Sequence, residues 1–375
     1  SISNATDGSV IIGVASANQL SVTDGTITPA LDNDIDLGSS SYEFKDLYVD
    51  GTAYVDAINF NGTAISATAA ELNLLDGATS LATSVNTLSD GLIEDNSLYL
   101  GNDPSGTTST ASNNVAVGTT ALDAITTGDR NTAMGYDALG ANTTGFSNVA
   151  LGFGALKNND IGHYNIAIGD SALLDLDPDQ TWNGSENVAI GSKAMENATT
   201  ASLNIAIGTK ALYGNTASLT GGSNTAVGPY SLYNNTTGSG NTALGYSALY
   251  NNTQGYNNIA LGYYGPLNSN TTGDYNIAIG YYSLFANTTA NYNIGIGYYS
   301  LRYSNRTSDT NGYNIGLGYQ AGDVITTGQN NTIIGSKADP SANSASNQTV
   351  IGYEAAGHGN NIAVIGNTDM TAWHP

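Results

Sequence analysis

The sequence contains no cysteine, which excludes disulfide scaffolds, zinc–thiolate sites and thiol nucleophiles together. Histidine is almost as scarce: His163, His358 and His374 lie far apart and leave little material for a metal site or a catalytic triad. Only 8 Lys+Arg stand against 31 Asp+Glu, for a net charge of −23. Binding to nucleic acid, which relies on basic residues meeting phosphate, is therefore not expected. Charged residues make up 10% of the chain against about 25% in ordinary soluble domains, so a conventional globular core is not expected either. No run approaches 18 consecutive apolar residues, which argues against membrane insertion as a helix. The start at Ser-Ile-Ser-Asn, with no basic-then-apolar leader, is that expected of a fragment or a processed product.

What the chain has instead is a repeat. A five-residue unit (Asn, β-branched, small, apolar, Gly) begins at Asn114, Asn131, Asn148, Asn165, Asn187, Asn204, Asn224, Asn241, Asn258, Asn276, Asn293, Asn314 and Asn331. Successive copies are mostly 17 residues apart, with longer units of 22, 20, 18 and 21, and degenerate copies end at Gly352 and Gly366. A Leu or Met commonly follows four residues after the Gly, as at Leu122, Leu139, Leu156 and Met195.

Each position has a physical reading. Two apolar residues around a small one alternate with period 2, a short strand with one apolar face. The Gly suits a corner that needs positive φ or close packing. The Asn can stack its amide on the Asn of the next coil, so Asn131, Asn148, Asn165, Asn204, Asn241, Asn258 and Asn276 are expected to form a hydrogen-bonded ladder. Stretches such as Asn142-Thr143-Thr144-Gly145 read as turns. Seventeen residues is too short for a helix pair and suits one turn of a β-solenoid, and the added residues are expected as loops that leave strand register intact.

The runs at 165–169, 204–208 and 276–280, each Asn-Ile-Ala-Ile-Gly, resemble the head repeat of YadA-type trimeric autotransporter adhesins, although the period there is shorter. That resemblance implies a left-handed parallel β-roll in an obligate homotrimer. The longer unit at 241–253 (Asn-Thr-Ala-Leu-Gly-Tyr-Ser-Ala-Leu-Tyr-Asn-Asn-Thr) resembles repeats of bacteriophage tail fibres. Segments 34–38, 42–51 and 67–77 resemble pieces that recur in phage fibre shafts, which favours a fibre over an autotransporter.

Residues 1–111 differ in kind, with 15 acidic residues and Lys45 as the lone base. Residues 8–13 and 46–50 read as β-like. Thr68-Ala-Ala-Glu71 reads as a capping box, and Leu74, Ala78, Leu81, Val85, Leu88 and Leu92 follow the spacing of a short coiled coil or, alternatively, of one amphipathic helix packed on its own chain. The expected order is a β-rich acidic shaft at 1–65, a helical connector at 66–93, a linker at 94–111, the solenoid of about 13–15 coils at 112–367 and a tail at 368–375.

Candidate chemistry is thin. Asp32, Asp34 and Asp36 lack the Gly and distal Glu of a calcium loop and read as a solvated acidic turn. Asp175, Asp177, Asp179 and Glu186 are the best carboxylates for a glycan-cleaving site of the tailspike kind. The sequons at Asn142, Asn270 and Asn287 follow from turn composition. Tyrosine is the feature that stands out. The residue after the Gly corner is Tyr at Tyr246, Tyr263, Tyr281, Tyr298 and Tyr319, and the next is Tyr at Tyr264, Tyr282 and Tyr299. Adjacent residues of extended chain face opposite ways, so one column is expected to pack and the other to be exposed; either both columns staple coils and chains together, or the exposed one, Tyr264, Tyr282 and Tyr299, contacts a receptor.

The resulting expectation is an all-β, non-enzymatic homotrimeric fibre without cofactor or metal. As a phage tail fibre on the virion it would meet a host cell-surface glycan or protein and other virion tail proteins. A bacterial trimeric surface adhesin or extracellular filament is the alternative, and a tailspike depolymerase a more distant one.

Overall fold

The computed structural model describes residues 91–101, 104–176, 184–215, 218–307 and 311–372, together with short strands and single positions before residue 65. The chain divides into two compact units, Ser1–Thr79 and Ser80–Pro375. In the first, Ile2–Asn4, Val10–Val14, Ala17–Thr23 and Thr26–Pro29 form an antiparallel sheet in chain order, and Asn59–Phe60 pairs with Thr63–Ala64. The β-like reading of 8–13 thus meets a strand, whereas the described positions of 46–50 (Asp46, Tyr48 and Asp50) are not strand.

The second unit is a parallel β-solenoid of about fifteen turns. Fifteen three-residue strands, from Val115–Val117 to Ala363–Ile365, pair in chain order, each in parallel register with the next. Equivalent residues face each other, as in Thr132↔Val149, Ala133↔Ala150 and Met134↔Leu151. Longer units do not disturb this: Ile166 pairs with Val188 across the 22-residue unit and Ile205 with Thr225 across the 20-residue one.

The start of the solenoid lies earlier than the repeat pattern indicates. Ser97–Leu100, inside the expected linker, is a strand that pairs in parallel with Val115–Val117. Gly91–Glu94, at the end of the expected helical connector, is also a strand and closes the ladder from the other side in antiparallel register. The remainder of the connector, including the capping box, lies outside the described residues. Residues 97–101 are a disguised repeat in which Ser97 stands for Asn and Tyr99 for Ala. The Ser97 hydroxyl accepts the Asn114 N–H at 2.9 Å, and the Tyr99 ring is fully buried.

A thin core runs along the ladder. The central residue of each strand points inward, and Ala116, Ala133, Ala150 and their successors through Ala278 are fully buried. Opposite them stand Leu122, Leu139, Leu156, Leu173 and Met195, also fully buried and held at φ near +50°. Gly135 shows why the corner is glycine: its φ is +134°, and a Cβ there would meet the Gly152 carbonyl oxygen of the next coil at 2.5 Å. The coils are too close at this corner for any side chain.

Candidate recognition surface

Two buried amide ladders fix the coils before any outward group is placed. At Asn241, the backbone N–H and the side-chain Nδ2 both donate to Asn224 Oδ1, at 3.0 and 3.1 Å, and Nδ2 also donates to the Gly255 carbonyl at 2.8 Å. Its own Oδ1 accepts the same pair of bonds from Asn258. Asn131, Asn148, Asn165, Asn204, Asn258 and Asn276 are likewise fully buried, and in each the backbone N–H donates to the preceding Asn Oδ1. The second ladder was read only as turn chemistry. Asn252, Asn270 and Asn287 each donate to the previous Asn Oδ1 at 2.8 to 3.0 Å, and farther up Asn159 donates to Asn142 Oδ1 at 3.3 Å. Its signal is a second 17-residue spacing of Asn, 142 to 159 and 235 to 252. The sequon asparagines are therefore inside the solenoid, with no exposed amide to modify.

The two outer residues of every strand face the other way. Val115, Met134, Leu151, Ile205, Ile207, Leu244, Ile259, Ile315 and Leu317 are all exposed, Leu244 to 48%. The third strand position thus forms an unbroken apolar column along the sheet, and the first, as far as Thr349, a β-branched column in which Thr132, Thr225, Thr242, Thr332 and Thr349 interrupt the aliphatic residues. The face is flanked on each side by a turn: the residue before the ladder Asn has positive φ (55° at Tyr275, 59° at Tyr292, 49° at Tyr313), and the residue after the corner follows a Gly of φ 123° to 135° (Gly280, Gly297, Gly318). In the coils at Asn276, Asn293 and Asn314 both edge positions are Tyr, giving rows such as Tyr292, Ile294, Ile296, Tyr298.

These edge tyrosines are stacked along the sheet. Tyr275, Tyr292 and Tyr313 have centroids 5.2 and 5.0 Å apart and nearly parallel rings, and Tyr281, Tyr298 and Tyr319 repeat this at 5.0 and 5.4 Å. The expectation that the column after the corner and the next one face opposite ways does not hold. Tyr264, Tyr282 and Tyr299 have φ of 55°, 51° and 60°, so the chain is not extended there, and they turn beside their neighbours. Tyr263 and Tyr264 meet edge to face at 4.4 Å, and Tyr281 and Tyr282 at 4.5 Å. Tyr264 is exposed and Tyr282 and Tyr299 are half-buried, the last with the Arg302 guanidinium 4.2 Å above its ring. A hydrogen bond with Tyr299, partial desolvation and the surrounding phenols push Tyr298 up to about 12.

Among the described residues every cation is already engaged. Lys157 pairs with Asp137 at 2.8 Å, Lys193 with Glu196 at 3.0 Å and Lys337 with Glu354 at 3.3 Å. Lys210 lies over Tyr213, Arg130 over Phe146 and Arg302 over Tyr299, while Arg306 donates to the Thr327 carbonyl. Burial pushes Asp137 up, but hydrogen bonds from Lys157 and Thr120 outweigh it and hold the carboxyl below its usual range. Of the carboxylates considered for glycan cleavage, Asp175 accepts a bond from Asn158 and is raised by burial, and Glu186 is exposed beside a ladder Asn. Asp177 and Asp179, like Asp32, Asp34 and Asp36, lie outside the described residues. No cluster of three or more metal-ligating side chains occurs among the described residues. No protein-family profile matches the chain, and no curated protein matches it.

Proposed function

We propose that the chain is a subunit of a homotrimeric extracellular fibre, a phage tail fibre that recognises a host cell surface. The observation that carries this reading is the outward, largely apolar face. Fourteen steps of about 4.8 Å make the face about 65 Å long, and a three-residue strand with a turn residue on each side makes it about 15 Å wide, on the order of 1,000 Å². That exceeds the roughly 800 Å² each partner gives to a standard specific interface, and exposed apolar patches of this size mark association surfaces. Further copies of the chain would cover it. The Tyr264, Tyr282 and Tyr299 group, outside the face at the corner, would then be available to a host glycan or protein, with phenol rings and hydroxyls as the contact groups.

Native mass measurement tests the assembly, with three chains expected. The double substitution Ile207→Asp and Leu317→Asp should release monomers whose circular dichroism still reports the solenoid. A wild-type monomer removes the fibre reading. Adhesion of the labelled chain to host cells tests recognition: Tyr264, Tyr282 and Tyr299 changed together to Ser should lower adhesion while the trimer persists.

A further inference from the structure

We infer that the two edge columns of the sheet face meet between copies, so that Tyr275, Tyr292 and Tyr313 of one chain lie against Tyr281, Tyr298 and Tyr319 of the next, with the chains parallel and in register. This rests on the self-association proposed above and adds to it an orientation and a seam. Copies related by rotation about an axis along the ladder bring the leading edge of one face, the residue before the ladder Asn, against the trailing edge of its neighbour, the residue after the Gly corner.

Residue identity on the two edges fits this meeting. Both edges become tyrosine in the same three coils, those at Asn276, Asn293 and Asn314, and in no others. The rings leave their edges outward, because their faces are taken up by stacking within the column. Edge-on contact with a second stack is a favoured aromatic geometry. Elsewhere the same-coil pairs are also compatible: Arg130 with Tyr136 sets a cation near a ring, and Gly240 with Tyr246 sets a small residue against a large one. An antiparallel copy in full overlap would instead place the three tyrosine rows opposite the coils at Asn165, Asn187 and Asn204, whose edges carry Asp170 and Glu186. Burying those carboxylates against phenol rings is costly.

The absence of native cysteine makes a clean test. Within one chain, Tyr292 and Tyr298 are six residues apart with a turn at each end of the strand, so a bis-maleimide crosslink inside one chain keeps the mass of a single chain and only species of two or more chains count. The full chain carrying both Tyr292→Cys and Tyr298→Cys should be joined into multi-chain species by that reagent, and each single variant should stay uncrosslinked. Asn330→Cys with Ser336→Cys, the equivalent edge pair of a coil without tyrosine, guards against loss of packing and should behave the same way. If neither double variant crosslinks while native mass still reports a trimer, the seam is wrong and the trimer uses another surface. Crosslinking by a single variant overturns the parallel arrangement, and a wild-type monomer removes the underlying assembly.

Discussion

Glycine replaces alanine at the centre of two strands, and the reason lies one coil earlier. A Cβ on Gly295 would meet the Ser283 hydroxyl oxygen at 2.6 Å, and one on Gly316 would meet Ser300 Oγ at the same distance. Both hydroxyls are buried and donate to the carbonyls of those glycines, at 2.7 and 2.8 Å. Gly295→Ala should therefore lower the melting temperature, at a cost of about 1 to 3 kcal/mol typical of overpacking. Adding Ser283→Ala should recover most of the loss; a double variant no better than the single would place the conflict elsewhere. A ladder asparagine has more at stake than its loop neighbour. Asn241→Ala leaves buried donors and acceptors unpaired at about 1 to 3 kcal/mol, whereas Asn251 is half-buried and bonds to Asn234 alone through its side chain. Thermal melting should show a clear drop for Asn241→Ala and little for Asn251→Ala. The ladder and the Gly corner were legible because Asn and Gly each answer one local demand. The direction of Tyr264, Tyr282 and Tyr299 was not legible, since positive φ at a tyrosine is a cost set by the coil and not a preference of the residue.

At the level of a coil, sequence reads the strand better than the ends of the array. Residues 97–101 escaped notice because Tyr99 replaces the small inward residue, although Gly101 stands 17 residues before Gly118. The far end differs in the opposite sense. Gln348 takes an Asn position and still donates its backbone N–H to Asn331 Oδ1, but its side chain bonds to Ser341, and Ile362 follows in the next copy. Near this end lies a carboxyl that makes its coil sensitive to pH. Burial, with repulsion from Asp323, pushes the Asp339 carboxyl from 3.8 to about 6, while backbone N–H bonds from Val324 and Asp323 pull against the shift. Arg302 lies near Asp323 and only partly offsets the burial of that second carboxyl. A carboxyl whose folded pKa is raised binds its proton more tightly in the folded chain, so its contribution to stability is greatest below about 4 and is lost as pH rises to about 6. Asp339→Asn should raise the melting temperature at pH 7 and flatten the melting profile between pH 4 and 6. An unchanged profile would mean that Asp339 is solvated in the folded chain.

Across the whole solenoid, each coil touches chiefly its two neighbours, and stability is a sum of coil and interface terms. Exposing two largely apolar columns along such a stack is costly unless they are covered, and here the repeat multiplies a small per-coil gain into a long interface. Sequence made the existence of the strand plain. It did not reveal which side of the strand faces outward, because Ala and Ile are both apolar and only the narrow space between coil walls assigns Ala to the inside.

The amide ladder also has a direction. Each ladder Asn donates its backbone N–H to the coil before it and offers its Oδ1 to the coil after it, and at Asn241 and Asn258 the side-chain Nδ2 donates backward as well. A chain emerging from the ribosome therefore completes each coil with an acceptor already positioned for the next backbone N–H to arrive, and the hairpin of Gly91–Glu94 with Ser97–Leu100 supplies a starting edge. Growth is templated from the amino-terminal side, one turn at a time. Chains cut after a Gly corner, such as Gly262, should keep upstream amides protected from hydrogen exchange, whereas chains that begin at Asn131 should lose protection in their first coils.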